Sequence, residues 1–360
     1  MSETVEDFLA MHELVKAAKA RLDKGIWDYV TGATETETTL KRNRIGIDSL
    51  VFKRRVLRRM SKIDLTSSLF GRKVRLPVLM APVGSLESLE PGGGATAAKA
   101  TAEFGVPLML SSQCRPGIEE TAAAAPEGFR MYQLYVRGDG DYEDEIVKRA
   151  VDHGYTAFAV TVDSAHYSRR ERDIANRYVK PWRIGLTGLN YQADYDWDNV
   201  RRFKDKHQIP LILKGIAAAE DAEEAVRLGV EGIYVSNHGG RQLDHDRGSI
   251  EVLPEVVQAV GGKATVIVDG GFMRGTDVIK AIALGADAVG LGRMFALSLG
   301  AAGQAGVVRM LELLEEEMTA SMALLGEAKL ADLRPDHLAP ALPVGPTHVF
   351  SGLPLLGEGY

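Results

Sequence analysis

Eight short apolar runs, each followed by a glycine- or serine-rich turn and then a helical pattern, constrain this chain more than any other feature. The runs are PVLMAP (77–82), VPLMLSS (106–112), RMYQLYV (130–136), TAFAVTVD (156–163), PLILKGI (210–216), GIYVSNHG (232–239), TVIVDGG (265–271) and AVGLGR (288–293). Continuous apolar strands separated by helices predict a parallel sheet covered on both faces, because a solvated face would alternate with polar residues. Amphipathic segments such as AEDAEEAVRLG (219–229) and RGTDVIKAIALG (274–285) supply the covering helices, and their glycines fit helix C-caps. Eight such units close a (β/α)8 TIM barrel. The competing doubly wound sheet needs GxGxxG after a strand, and no strand carries it at the right place.

We read residues 1–360 as a single domain, with an N-terminal helical segment and hairpin over 1–75, the barrel over 76–325 and a C-terminal tail over 326–360. The hairpin is expected between LVFKRRVLRRM (50–60) and LFGRKVRLP (69–77). The one long connection, 169–209, follows the fourth strand. Its stretch NRYVKPWRIGLTGLNYQADYDW (176–197) reads as a short lid loop.

The net charge of -6 gives no support for a nucleic-acid partner or an anionic membrane surface. The single cysteine, Cys114, excludes an intrachain disulfide and fits a reducing compartment. The opening MSETVEDFLAMHELVKAAKARL is amphipathic and lacks the apolar core of a signal peptide. No run approaches the roughly 18 apolar residues of a membrane span. A cytoplasmic protein without a metal site is expected.

In a parallel barrel the chemistry collects at the carboxyl ends of the strands. Those positions hold Pro82-Val83-Gly84, Ser111-Ser112-Gln113, Gln133, Tyr135, Thr161, Asp163, Lys214, Ser236, His238, Asp269-Gly270-Gly271 and Gly292-Arg293. A cap, a turn or a surface lysine would account for any one of them, but not for polar groups at every strand end. The set predicts a cofactor site. Glycines after strands seven and eight expose backbone N–H groups, and Arg274 or Arg293 can pair with a phosphate. Lys214 places positive charge beside a ring that becomes anionic on reduction, or else forms a salt bridge with a neighbouring carboxylate.

VSNHGGRQLD (235–244) ends strand six with His238 at the barrel mouth, where Asp163 can orient its imidazole. Arg241 and Arg170 supply two guanidinium forks near the same opening, which suits a carboxylate whose neighbouring carbon loses a proton or hydride. The segment SRRERD around Arg170 also has the composition of a solvated loop.

These residues resemble the FMN-dependent α-hydroxy-acid oxidases and dehydrogenases, which include glycolate and lactate oxidases. SNHGGRQLD (236–244) matches that family's signature. TVDSAHYSRRERDIANRY (161–178), LILKGI (211–216) and VDGGFMRGTDVIKAIALGADAVGLGR (268–293) match in order and spacing, and WDYVTGATETETTLKRN (27–43) resembles its substrate-side segment. The resemblance implies His238 as base, Asp163 as its partner, Arg170 and Arg241 as carboxylate clamp, and Tyr29 and Tyr135 as substrate hydrogen-bonding groups. It implies FMN held by Ser111, Gln133, Thr161, Lys214, Ser236, Asp269, Gly271, Arg274, Gly292 and Arg293. It further implies oxidation of a small 2-hydroxy acid to the 2-oxo acid, an acceptor that is oxygen, a quinone or a carrier protein, and a homotetramer or larger assembly.

The chain departs from the family pattern in several places. In APVGSLESLEPGGG (81–94), Val83 and Gly84 stand where the family has a Thr-Ala pair, and the later His-Pro-Glu-Gly segment is absent. Glycine at that place goes with dehydrogenases or monooxygenases rather than oxidases. Gln113, Cys114 and Arg115 replace an aromatic wall and point to a polar or acidic distal group on the substrate. The lid is shorter than usual by roughly twenty residues. Two other readings stay open. One is an FMN barrel of different chemistry, either tailoring an amine or peptide-derived acid or resembling the type-2 isopentenyl diphosphate isomerases. The other is a non-catalytic flavin-binding scaffold. The complete His238, Arg170 and Arg241 set argues against the isomerase and the scaffold.

Overall fold

The computed structural model describes residues 8–180 and 191–359. The eight apolar runs form β1 (Val78–Met80), β2 (Leu108–Ser111), β3 (Arg130–Leu134), β4 (Ala157–Thr161), β5 (Leu211–Ile216), β6 (Gly232–Val235), β7 (Thr265–Val268) and β8 (Ala288–Leu291). Each strand pairs in parallel with the next. β8 returns to β1, with Val289 opposite Val78 and Leu291 opposite Met80, so the sheet closes into a barrel. Parallel neighbours require crossovers, and helices such as Gly93–Phe104, Gly140–Asp152, Ala219–Arg227 and Gly275–Ala283 supply them. The fold is the (β/α)8 barrel that the eightfold pattern predicts.

Alternation along the strands separates two cores. In β4, Phe158 and Val160 belong to the layer shared with the helices, whereas Ala157 and Ala159 join Met131, Ile212 and Tyr234 in the interior. Small alanines beside large side chains fill the barrel rather than leaving a pore. A hairpin of Ser67–Leu69 and Arg72–Val74 plugs the end where the strands begin, contributing Leu69 and Val74 to the interior cluster with Phe70 packed against it.

That hairpin differs from the expected one. Only the 69–77 half of the expected pairing takes part, folding back on Ser67–Leu69. The other half, Leu50–Phe52, pairs antiparallel with Leu338–Pro340, so the tail closes over the N-terminal segment. A second correction concerns apolar length. Among the described residues, the helix Arg293–Leu325 is long and apolar enough to cross a membrane by length and composition. Two-thirds of its apolar window (67%) is buried against the rest of the protein, and its backbone leaves helical geometry at Ala302 and Gly303. It is accounted for as a core helix.

The N-terminal segment crosses the barrel mouth. Helices Lys24–Thr31 and Thr38–Asp48 bring Tyr29, Val30, Leu40 and Arg44 to the cavity there. Residues 181–190, the middle of the expected lid, lie outside the described residues. Between β4 and β5, the parts on either side of them contribute His166, Tyr167, Arg170 and Gln192 to the cavity wall.

Candidate active site

Past the end of β6 the chain turns sharply, and the turn aims His238. Asn237 accepts the backbone N–H of Gly240 on its carbonyl (3.0 Å), and the Ser236 hydroxyl accepts the N–H of His238 (3.0 Å). His238 itself sits at φ 59, a left-handed conformation that a non-glycine residue keeps only when its surroundings enforce it. Its Nδ1 lies 3.2 Å from Asp163 Oδ1, and its Nε2 lies 2.9 Å from the Tyr135 hydroxyl. A carboxylate at Nδ1 holds a proton there and leaves Nε2 as the acceptor facing the cavity. Asp163 can come this close because β5 bulges at Gly215, whose φ is 115; a Cβ there would stand 2.6 Å from the Asp163 Cβ.

The electrostatics favour the base form. Burial pulls the His238 imidazole below its ordinary value, the Lys214 ammonium adds to this, and Asp163 opposes it. For Asp163, burial works upward, but His238 and Lys214 hold the carboxyl below its usual range. His238 is therefore neutral and Asp163 ionised near pH 7. Burial raises the Tyr29 phenol to about 12 and pushes Tyr135 up as well, so both are hydrogen-bond donors rather than phenolates.

Arg241 and Arg170 converge beside the histidine. Arg241 Nη1 donates to the carbonyls of Tyr29 (2.6 Å) and Gly32 (2.8 Å), and its guanidinium lies 5.0 Å from the Tyr29 ring centroid. Arg170 Nε donates to the Arg241 carbonyl at 3.3 Å. Burial lowers Arg241, and Arg170 lowers it further. Burial also brings Arg293 down to about 9, with Arg241 adding to the repulsion. Guanidiniums crowded out of water in this way gain most from anionic ligands.

The cavity at this mouth has a volume of about 460 Å³, and Tyr29, Tyr135, Arg170, Lys214, His238, Arg241, Asp269, Gly271, Gly292 and Arg293 all line it. Asp163 stands behind His238. Ser111, Gln133, Thr161 and Ser236 lie buried at the strand ends. Gln133 donates to Thr161 (2.8 Å), Lys214 to Ser236 (3.2 Å), and Ser236 to Asp269 (2.6 Å). Arg274 is not gathered with the others. As N-cap residue of Gly275–Ala283 it turns outward, pairing with Glu317 at 2.6 Å and the Gly352 carbonyl at 3.2 Å. Of the two arginines considered for a phosphate, only Arg293 lines the cavity.

The profile described as FMN-dependent dehydrogenase matches residues 18–340. The chain belongs to that family. Glycolate oxidase 3 of Arabidopsis thaliana is 38% identical over 350 residues, covering 91% of this chain and 94% of that one. A peroxisomal (S)-2-hydroxy-acid oxidase of Oryza sativa subsp. japonica is 37% identical over 356 residues, covering 93% and 97%. Among solved structures, an oxidized active mutant of (S)-mandelate dehydrogenase superposes with a TM-score of 0.88 at 32% identity, covering 93% of this chain and 100% of that one. Mandelate oxidase with benzoyl-formic acid gives 0.86 at 38% identity, covering 94% and 100%.

The family's cofactor is FMN, and the residues present fit it. Among the described residues, Gln133 Oε1 is a buried acceptor without a partner, at a strand end beside Thr161 where a heterocyclic N–H can supply one. Lys214 is a buried ammonium 3.8 Å from Asp269 Oδ2. The turn after β7 passes through Gly270 and Gly271 at φ 108 and 87, and a Cβ on Gly270 would strike the Ser249 hydroxyl at 2.8 Å. After β8, a Cβ on Gly292 would meet nothing within 4 Å. Glycine turns beside the half-buried Arg293 suit a phosphate.

Sequence reasoning missed several members of this flavoenzyme site. Gln192, from the long connection, accepts the Val136 N–H (2.8 Å) and donates to the Thr161 carbonyl (2.7 Å), tying that connection to β3 and β4. Asn43 and Asn237 exchange side-chain hydrogen bonds at 2.7 and 2.8 Å beneath the glycine turn. Arg137 lines the cavity two residues beyond Tyr135. Its spacing from Tyr135 was the available signal.

Proposed function

We propose that this protein oxidises an (S)-2-hydroxy acid to the corresponding 2-oxo acid. One observation carries the reading: a neutral histidine, with Nδ1 held by a carboxylate and Nε2 facing the cavity, stands beside two desolvated arginines. Arg241 and Arg170 bind and orient the substrate carboxylate. Tyr29 and Tyr135 donate to its oxygens. His238 Nε2 takes the hydroxyl proton, and Asp163 stabilises the imidazolium that results. FMN, when bound, supplies the acceptor for the two electrons that leave with the α-hydrogen. The relatives named as (S)-2-hydroxy-acid and glycolate oxidases support the substrate class. Purified protein is expected to be yellow, to release FMN on denaturation by mass spectrometry, and to be bleached anaerobically by at least one member of a 2-hydroxy-acid panel. A flavin-free protein, or one no member bleaches, overturns the reading.

The proposal extends to the electron acceptor. Gly84 offers its carbonyl to the Tyr29 hydroxyl at 3.1 Å, and a methyl group there would stand 3.0 Å from the Gln113 Cβ. Together with Val83, which has no hydroxyl, this gives a pocket wall unlike the Thr-Ala pair of the oxidases. We read it as a dehydrogenase or monooxygenase wall with slow oxygen reactivity. Mixing the substrate-reduced protein with air-saturated buffer is expected to give slow reoxidation. Rapid reoxidation with stoichiometric peroxide release overturns it. A cytoplasmic location, supported by the lone Cys114, and a homotetramer or larger assembly, supported by the family resemblance, complete the proposal; cell fractionation and light scattering test them.

A further inference from the structure

The cavity wall opposite the needs of a simple 2-hydroxy acid is polar and held in register. Gln113 is 6% exposed, and its carbonyl accepts the Ser85 N–H at 2.9 Å. Its side-chain Nε2 donates to the Ser112 hydroxyl at 3.2 Å, and that hydroxyl accepts the Tyr135 N–H at 3.1 Å. With Nε2 so engaged, Gln113 Oε1 is left to accept from Arg137 Nη2, and it does. The network therefore runs from the backbone of Tyr135, whose hydroxyl touches His238, to a guanidinium on the wall of the same cavity.

This guanidinium has no task in the reaction proposed above. Arg241 and Arg170 already serve the α-carboxylate, anchored through each other and through the Tyr29 and Gly32 carbonyls. Arg137 belongs to a separate network, fixed by Gln113. Between Gln113 and Tyr29, Gly84 lets the wall pack closely: a Cβ there would lie 3.0 Å from the Gln113 Cβ and 3.5 Å from the Tyr29 hydroxyl. Tyr29, Gly84, Gln113 and Arg137 line one cavity, so a substrate tail running along this wall from the Tyr29 side meets Gln113 and Arg137. An aromatic or aliphatic tail would have to desolvate both polar groups without replacing their hydrogen bonds, which is unfavourable. An anionic terminus would replace water with a charge-assisted hydrogen bond. Partial burial pulls Arg137 below its ordinary value, consistent with a cation that gains from an anion.

We infer that the substrate is a 2-hydroxydicarboxylic acid, whose second carboxylate is received by Arg137 positioned by Gln113. The inference rests on the 2-hydroxy-acid reading of the same site and narrows it to one class.

The test is anaerobic flavin reduction in the purified holoenzyme, using pairs matched in carbon skeleton: L-2-hydroxybutanoate against L-malate, and L-2-hydroxypentanoate against L-2-hydroxyglutarate. At least one dicarboxylate is expected to exceed its partner in kcat/KM by about tenfold or more, the size of one charged hydrogen bond. Arg137→Met is expected to collapse that ratio by about 10- to 100-fold, mainly through KM, and Arg137→Lys to restore part of it. Monocarboxylates that match or beat their partners in the wild type overturn the inference without touching the function reading. So does an Arg137→Met variant that slows both members of a pair equally. If no acid of either kind bleaches the flavin, the 2-hydroxy-acid reading itself falls and takes this inference with it.

Discussion

Replacing His238 with alanine is expected to slow substrate-driven flavin reduction by about 100- to 10,000-fold while the protein stays folded and yellow. The range is that of a positioned general base. The fold should survive because the side chain faces the cavity rather than the core; it is 14% exposed, with Asp163 at 12%. The pH profile makes the assignment sharper. Burial and Lys214 keep the imidazole below its ordinary 6.5, so the base form persists into mildly acidic solution. The wild-type kcat/KM should be full near neutrality and fall as pH drops through a midpoint below about 6.5. That acid limb should vanish in His238→Ala. Stopped-flow reduction across pH measures both effects. Near-wild-type rates in the variant, or an unchanged acid limb, would remove His238 from the reaction.

The second large effect is expected from Arg241→Lys, nominally a conservative change. Among the described residues only Nη1 of Arg241 is engaged, with the two carbonyls of the N-terminal segment. The rest of the fork is available to a carboxylate. A lysine ammonium can replace one of these functions but not both, since its donors share a single nitrogen. The loss of a charged, bidentate contact corresponds to about 1.5–3 kcal/mol, or roughly 10- to 100-fold in kcat/KM. Because the ammonium would also sit in a desolvated place beside Arg170, recovery at saturating substrate should be incomplete. Steady-state kinetics with the best acid of the panel decides the matter. Unchanged affinity would end the carboxylate-clamp assignment.

The sequence was most legible where a local rule determines the outcome. A buried strand must be apolar throughout, so the eight runs stand out and their count closes the barrel. His238 was legible because a histidine that ends an apolar run and is followed by glycines has little structural reason to be there. What could not be read was partnership across long separations. Leu50–Phe52 is apolar and short, and nothing in it says that its partner is Leu338–Pro340 rather than the nearer 69–77 segment. Arg274 has the right type and position for a phosphate, but Glu317, on a different helix, takes it. Arg137 is one polar residue among many leaving a strand, and only the fold, with its bond to Gln113, places it on the cavity wall.

The pairing of Leu50–Phe52 with Leu338–Pro340 sets a schedule for the nascent chain. The segment that carries Tyr29 leaves the ribosome before the barrel strands, yet part of what holds it is made after them. Besides the strand pair, Arg21 donates to the Ala301 carbonyl (2.8 Å) and Arg309 to that of Phe8 (2.7 Å), so the first helix docks on Arg293–Leu325. Until that helix and the tail emerge, Met11, Leu14 and Val15, all buried in the finished protein, have no surface to cover them. At about 5–20 residues per second the wait is on the order of tens of seconds. Through that interval the polypeptide exposes an amphipathic helix of the kind holdase chaperones bind. The barrel can close before the catalytic mouth is complete, and the enzyme becomes competent only after residues 338–340 have emerged.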